Sequence, residues 1–427
     1  MRGFWIFTTK LLKRYGRGGM LLLLLQSITV AIQLVVMPFL ARVLSPAEFG
    51  IFQFSQTVIT WLSIFSIGNS TLAAKKGMVE NKNGTILYAF VYRFKFVATL
   101  TILCFIAAGV FFFFGKPILP MLSIIVGLFL LFGYLPQVSF PQLFIAKENF
   151  GLFVFWQSLA IFVSQAFTLW TAFATENVVL VMFAQYASLA VICILAFLWG
   201  LKKYHCVAAY KKGEIDCSCV DYGKKLIPVE ILQGTAGSIH NFIIGPLFGF
   251  ASLAVFSIAT RIDVLFRSII SSGYYLLYAD FAKIEISEIR RHLKQKLFFV
   301  LVSSSLFSMG LFFASWLYII NFLPSSYANA IVYIGILVCA LPAVVLQGIM
   351  QSALESKLKA EDLRFATFIS QILRIIFLIV GGFFGIVGIT LSLAVSAWFG
   401  VLCFAFVFYE FKFLEKNILK RHFKFLR

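Results

Sequence analysis

The sequence predicts an all-α integral membrane protein with twelve transmembrane helices, and three observations support this fold class. Of its residues, 61% are hydrophobic and 12% are charged, and the mean hydropathy is +0.96. Soluble domains are only about half apolar and about a quarter charged. The apolar residues are grouped into stretches of about 20, the length that crosses a bilayer as a helix. Basic residues are concentrated in alternate gaps between those stretches.

Twelve stretches are long and apolar enough to be spans. The first follows a basic segment, as the core of a signal peptide does, but its apolar run is longer and lacks a small-residue cleavage motif. We therefore expect it to remain as a helix. The spans are predicted at residues 20–41, 51–73, 94–114, 121–145, 151–173, 178–200, 227–248, 252–280, 297–323, 328–350, 365–384 and 386–409.

The distribution of basic residues predicts the orientation of the spans. Thirty-one of the 36 Lys and Arg residues lie at the two chain ends, or in or beside the gaps that follow even-numbered spans. The other gaps hold only Arg42 and Lys116. By the positive-inside rule, both termini are cytoplasmic. The net charge of +19 then faces the anionic inner leaflet, so no nucleic-acid partner is expected.

The longest polar segment between spans divides the chain into two groups of six. We predict an N-terminal lobe at residues 1–200, a cytoplasmic linker at 201–226, and a C-terminal lobe with a cytoplasmic tail at 227–427. A short repeat agrees with this division, because residues 44–52 and 248–256 each place small residues and an aromatic between two spans. Duplicated bundles with a site near mid-membrane are a frequent plan among transporters.

Short motifs in both halves resemble one family. Pro38-Phe-Leu-Ala-Arg-Val-Leu-Ser-Pro-Ala-Glu-Phe-Gly-Ile-Phe52, followed by Gly68-Asn-Ser-Thr-Leu-Ala, is similar to the first hairpin of bacterial polysaccharide flippases of the Wzx type. Ile244-Gly-Pro-Leu-Phe-Gly and Val255-Phe-Ser-Ile-Ala-Thr-Arg261 resemble the start of that family's second repeat. These flippases belong to the superfamily of multidrug, oligosaccharidyl-lipid and polysaccharide exporters. The resemblance implies two six-helix lobes around a cavity, as in MATE-like transporters.

The resemblance also implies a cargo and a place in the cell. The cargo would be an undecaprenyl-diphosphate-linked oligosaccharide, moved across the bacterial cytoplasmic membrane for O-antigen or capsule assembly. Membrane lipids and polysaccharide polymerases would be its partners, and H⁺ or Na⁺ its coupling ion. We expect no enzymatic activity, no cofactor and no metal, since the Cys and His residues of the linker depart from common zinc spacings.

Charged residues inside spans are the candidates for substrate binding, because charge in a bilayer is costly and usually functional. Arg261, Asp263 and Arg267 lie near the middle of span 8. Asp263 and Arg267 are four residues apart and can form an internal ion pair. Arg261 points elsewhere, so it is the cation we expect at a diphosphate, unless a buried carboxylate or a helix end holds it. For Arg374 in span 11, we expect substrate binding and structural pairing about equally.

The remaining candidates lie nearer the membrane faces. Arg93 and Lys95 begin span 3, where basic side chains reach the headgroups, so anchoring is favoured over substrate binding. No ATP-binding loop motif is present, so an ion gradient is the expected energy source. Asp263, Glu230 and His240 are the candidate ion carriers, although Glu230 also fits a solvated helix end and His240 an interior hydrogen bond.

Two other functions compete with a flippase. A multidrug or cation antiporter could use the same fold, but arginines near mid-membrane would repel organic cations. A membrane-integral O-antigen polymerase or ligase usually carries a large external loop, and the predicted external loops are all short.

Finally, Pro136 and Pro141 in span 4 and Pro342 in span 10 should bend their helices, because proline removes a backbone hydrogen bond.

Overall fold

The fold is all-α, as predicted. The computed structural model describes residues 2–66, 69–115, 118–281, 284–356 and 360–409. Sixteen α-helices lie in these ranges: α1 (Arg2–Val43), α2 (Pro46–Ile64), α3 (Asn69–Val79), α4 (Thr85–Phe113), α5 (Ile118–Phe129), α6 (Leu135–Ala146), α7 (Phe150–Thr175), α8 (Val178–Lys203), α9 (Cys206–Lys211), α10 (Ser218–Phe248), α11 (Phe250–Phe281), α12 (Ile286–Phe322), α13 (Ala330–Val338), α14 (Leu341–Ser356), α15 (Ala360–Gly382) and α16 (Gly385–Phe408).

Eight helices of the described residues are long and apolar enough to cross a membrane, and the bent pair α13 and α14 makes up to nine. The predicted spans in α2, α10 and α11 do not meet this requirement of length and apolar composition, because polar residues interrupt their apolar runs. The chain is therefore a multi-pass membrane protein. The boundary of predicted span 3 is wrong by nine residues, because α4 begins at Thr85 and places Arg93 two turns inside the helix.

The structure packs as two units. One comprises residues 1–265 and 315–333, and the other 266–314 and 334–427. Buried aromatic and aliphatic side chains from α4, α6, α7 and α8 form a core in the first unit, and α12, α14, α15 and α16 contribute a core in the second. The predicted lobes at 1–200 and 227–427 remain a prediction.

Helix α2 closely approaches both α10 and the first residue of α11 within the first unit. A methyl group added at Gly50 would overlap the backbone oxygen of Phe250, and one at Gly234 would overlap the side chain of Ile64. Between these two points, Asn241 Nδ2 donates to Thr57 Oγ1 at 2.9 Å. Small residues allow backbones to pack closely where no hydrophobic force drives helices together.

Two helix irregularities occur near prolines at which the sequence predicts bends. A π-helical turn, Leu130–Tyr134, joins α5 to α6 directly before Pro136. Helices α13 and α14 meet at an angle of 44°, at a break immediately before Pro342. The predicted bend in span 10 is thus confirmed. In span 4 the irregularity is a π-helical turn, a feature frequent at functional sites.

The predicted linker packs within the first unit. The backbone N–H of Gly84 donates to the Glu214 oxygen at 3.2 Å, and that of Asp216 donates to Thr85 Oγ1 at 2.9 Å. Cys206 and Cys219 are buried in the same core as α4 and α6. Burial raises the pKa of each thiol to about 11, so both are neutral at physiological pH and behave as small apolar residues.

Candidate functional site

Arg261 is part of a polar cluster in the first unit. Its guanidinium Nη2 donates to Gln56 Oε1 of α2, and the Gln56 amide in turn donates to Gln185 Oε1 of α8 at 3.4 Å. Arg261 also interacts electrostatically with Tyr186, whose hydroxyl lies 3.0 Å from Ser55 Oγ. We call Ser55, Gln56, Gln185, Tyr186 and Arg261 the Arg261 cluster.

Neighbouring contacts hold the cluster in place. The Ser55 hydroxyl donates to the Phe52 backbone oxygen at 2.7 Å, and the Tyr186 ring packs against Phe129 with centroids 4.8 Å apart. Ser55 and Tyr186 are buried, whereas Gln56 and Arg261 keep partial exposure. Hydrogen bonds and packing therefore hold the Arg261 side chain in a defined position, which suits a binding site better than a flexible surface arginine.

Arg261 has no carboxylate partner within ion-pair distance among the described residues; its hydrogen-bond partner is the neutral amide of Gln56. Asp263, two residues later, is 8% exposed. Residues two positions apart on an α-helix point in directions about 200° apart, so the Asp263 carboxylate faces away from Arg261. The expected alternative role for Arg261, pairing with a buried carboxylate, is not what the structure shows.

Arg93 is fully buried, which corrects its interpretation as a headgroup anchor. Its Nε donates to the Ser66 backbone oxygen at 2.9 Å, Nη2 donates to Ser66 Oγ at 2.8 Å, and Nη1 donates to Thr71 Oγ1. The Tyr134 ring centroid lies 5.7 Å from the guanidinium carbon. The sequence suggested anchoring because Arg93 appeared to start a span; the earlier start of α4 buries it instead.

The other predicted residues are distributed more widely. Lys95, two residues after Arg93 in α4, is exposed, as an anchoring residue would be. His240 is 7% exposed and packs edge-on against Phe256 with ring centroids 5.4 Å apart. Arg267 and Arg374 are both partly buried and belong to the second unit. The structure thus brings Arg261 into a hydrogen-bonded cluster of the first unit.

Glu230 lines a pocket of about 360 Å³ in the first unit. The buried Arg93 attracts the Glu230 carboxylate electrostatically. We call this cavity the Glu230 pocket, and its lining residues are Ser63, Ile64, Tyr134, Glu230, Gln233 and Gly234.

Sequence reasoning missed several members of both sites. Gln56 and Gln185 interrupt apolar spans, and that interruption is the signal that could have identified them, since polar side chains in spans are costly. Tyr134 and Tyr186 carried no such signal, because 15 tyrosines are scattered through a chain with 52 phenylalanines. Only the packing of α5, α6 and α8 identifies which tyrosines contact the charged residues.

Comparison with known proteins agrees with this architecture. The MATE transporter VcmN from Vibrio cholerae, in a mutant form, superimposes with a TM-score of 0.63 at 12% identity, covering 94% of this chain and 97% of that one. A MOP superfamily transporter from Pyrococcus furiosus gives 0.63 at 16%, covering 94% and 96%. The eukaryotic MATE transporter AtDTX14 gives 0.59 at 11%, covering 97% of each. These likenesses show the fold.

Sequence comparison assigns the family. No significant match was found among curated proteins. A family model described as "Polysaccharide biosynthesis protein" matches residues 39–274, more than half of the chain and including both α2 and Arg261. The chain therefore belongs to this polysaccharide biosynthesis family, and it has the fold of the MATE transporters.

Proposed function

We propose that this protein is a flippase that moves undecaprenyl-diphosphate-linked oligosaccharides across the bacterial cytoplasmic membrane for O-antigen or capsule assembly. Three findings support the proposal: the polysaccharide biosynthesis family, the transporter fold and the cationic Arg261 cluster. The cargo's lipid can remain in the bilayer, but its diphosphate and sugars must cross about 30 Å of hydrocarbon. Such a passage requires polar and cationic groups inside the protein.

The observation that carries the proposal is the pairing of Arg261 with a neutral amide. An arginine inside a membrane protein normally pairs with an acid, because an isolated charge is costly to bury. Gln56 accepts one hydrogen bond from the guanidinium, but among the described residues no carboxylate lies within ion-pair distance of Arg261. The planar fork of arginine binds phosphate oxygens in a bidentate manner. A diphosphate arriving from the lipid headgroup region would supply the missing negative charge.

Energy for the cycle would come from an ion gradient. Asp263 and His240 are the proposed carriers of H⁺ or Na⁺, since ionisable groups within spans commonly form proton relays. Asp263 and His240 are both nearly buried in the first unit, on α11 and α10.

A multidrug antiporter is less well supported. Similar structures include multidrug resistance transporters, but their identity to this chain is low enough that they show only the fold. The fold also occurs in the Pyrococcus furiosus transporter, for which a reversed polarity of the binding pocket suggests a different function. An arginine at the Arg261 cluster would repel an organic cation and attract an anion.

A flipping assay tests the proposal. Purified protein in proteoliposomes should move an undecaprenyl-diphosphate-linked oligosaccharide between leaflets, and Arg261→Ala should slow this movement at least about tenfold, which corresponds to about 1.4 kcal/mol. Arg261→Lys should recover part of the rate, because charge is retained while the fork is lost. Arg291→Ala is the matched control, since Arg291 is an exposed arginine paired with Glu288.

The same vesicles test coupling. Collapsing the pH, sodium and voltage gradients should abolish net accumulation in one leaflet. A wild-type rate for well-folded Arg261→Ala protein would reject the diphosphate assignment, and undiminished accumulation without any gradient would reject ion coupling.

A further inference from the structure

The Glu230 pocket has the size and lining of a small-ligand site. Its volume of about 360 Å³ lies in the lower part of the range of about 300–1,000 Å³ that such sites occupy. Four of its six lining residues carry a polar side chain. Gln233 is exposed although it lies on a predicted span, and an amide is costly to expose to lipid. Gln233 is therefore suited to a water-filled or ligand-filled cavity.

The charge of the pocket discriminates among ligands. The Glu230 carboxylate lines the cavity and would repel a phosphate, whereas the buried Arg93 guanidinium interacts electrostatically with Glu230 and would oppose a cation. Arg93 is fixed by Ser66 and Thr71, so it cannot move away to admit a positive ligand easily. A carboxylate in the wall with a guanidinium buried near it favours a ligand that is polar but neutral.

The polar groups match a sugar. An ionised carboxylate provides two acceptor oxygens, and the Gln233 amide provides both donors and an acceptor. The Ser63 hydroxyl donates to the Thr60 backbone oxygen at 2.6 Å, which leaves its lone pairs to accept. Vicinal hydroxyls of a sugar are donors and acceptors at close spacing. Gln233 lies three residues after Glu230, so both project from one face of α10.

The position of the pocket relates it to the Arg261 cluster. Gln56 and Ser63 are seven residues apart on α2, which places them on one helix face about 10 Å apart along the axis. Ser63 lies toward the end of α2 that the predicted topology places at the cytoplasm. A cargo whose diphosphate reaches Arg261 would thus have its sugars within reach of this pocket.

We propose that the Glu230 pocket binds a neutral sugar ring of the lipid-linked cargo and determines which sugar is accepted. This inference rests on the proposed flippase function. Glu230 and Gln233 hold the sugar hydroxyls, and Arg93 is a positioning residue whose buried guanidinium attracts the Glu230 carboxylate. Gly234 leaves room for the close approach of α2, which forms one wall of the pocket.

Binding measurements on the full-length protein in nanodiscs test this subsite. The probes are undecaprenyl diphosphate without sugar and a panel of undecaprenyl-diphosphate-linked monosaccharides that differ only in the sugar. The wild-type protein should bind at least one sugar-bearing lipid more tightly than the sugarless lipid. Glu230→Gln and Gln233→Ala should each reduce this preference about tenfold, as expected when a hydrogen bond to a sugar is lost.

Controls separate this subsite from the diphosphate site. The affinity for the sugarless lipid should be unchanged in Glu230→Gln and Gln233→Ala. Arg261→Ala should weaken both lipids equally, and if it does not, the diphosphate assignment fails while the subsite is still tested. Gly237→Ala is the matched control on α10, because a methyl group there meets open space.

Two results would overturn the proposal. In the first, well-folded Glu230→Gln retains the full wild-type preference among the sugars. In the second, Glu230→Gln changes only the pH profile of flipping without changing sugar preference, which would make Glu230 a proton carrier and not a sugar ligand.

Discussion

Removing the buried guanidinium of Arg93 should destabilise the protein strongly. The side chain makes three hydrogen bonds, two to Ser66 and one to Thr71, and is 0% exposed. A hydrogen bond to a charged group contributes about 1.5–3 kcal/mol, and bonds that share partners are not additive. For Arg93→Ala we therefore expect a loss of about 3–5 kcal/mol, similar to breaking a buried ion pair.

The assay is thermal unfolding of the detergent-solubilised protein, followed by size-exclusion chromatography after heating. At about 2–4 °C per kcal/mol for domains of 150–250 residues, the midpoint should fall by at least about 5 °C. Arg93→Lys should give an intermediate loss, because an ammonium retains the charge but cannot reach the same acceptors in a planar fork.

Lys95→Ala provides the control, since Lys95 is a basic residue on the same helix with an exposed side chain. Its removal should leave the midpoint within about 1 °C of wild type, because surface substitutions usually change stability by less than about 0.5 kcal/mol. Equal midpoints for Arg93→Ala and Lys95→Ala would refute the structural role and return Arg93 to the headgroup-anchor interpretation.

Two further predictions concern packing and the linker. Gly50→Ala should reduce folded yield severely, because its methyl group would overlap the backbone of Phe250 at the start of α11, whereas Gly237→Ala should be tolerated; equal yields would show that α2 and the start of α11 are not so close. Hydrogen bonds from Ser218 hold the pKa of Asp216 below its ordinary value. The ionised carboxylate therefore stabilises the docked linker above about pH 4. This stabilisation is lost as the pH falls through the lowered pKa. Limited proteolysis of the linker should therefore increase on acidification below about pH 4, and Asp216→Asn should remove that dependence.

The sequence predicted the spans well because the bilayer imposes one dominant constraint on every helix. A spanning segment must be apolar for about 20 residues, and this property can be read locally. The same reasoning failed at Arg93, because a boundary judged from hydropathy ignores how far a helix continues into polar sequence. Helix α4 begins at Thr85, where the linker contributes a hydrogen bond across more than a hundred residues. Such a long-range contact leaves no local pattern.

Arg261 shows what sequence can contribute to a site and what requires structure. Its depth in a span identified it as a candidate, and the opposite orientation of Asp263 followed from helix geometry alone. The identity of its partner did not follow, because Gln56 is 205 residues away in the chain. A carboxylate at that position would have made Arg261 an ordinary buried ion pair, with no charge left for a ligand.

The two polar sites of the first unit differ in the charge that they leave for a ligand, and this difference matches an amphiphilic cargo. The Arg261 cluster leaves a positive charge, while at the pocket the Glu230 carboxylate is opposed by the charge of the buried Arg93. Both sites include α2, so any movement of this helix would displace them together. A protein that carries a diphosphate and a sugar as one molecule requires such a rigid connection, because each group must leave its site when the other does.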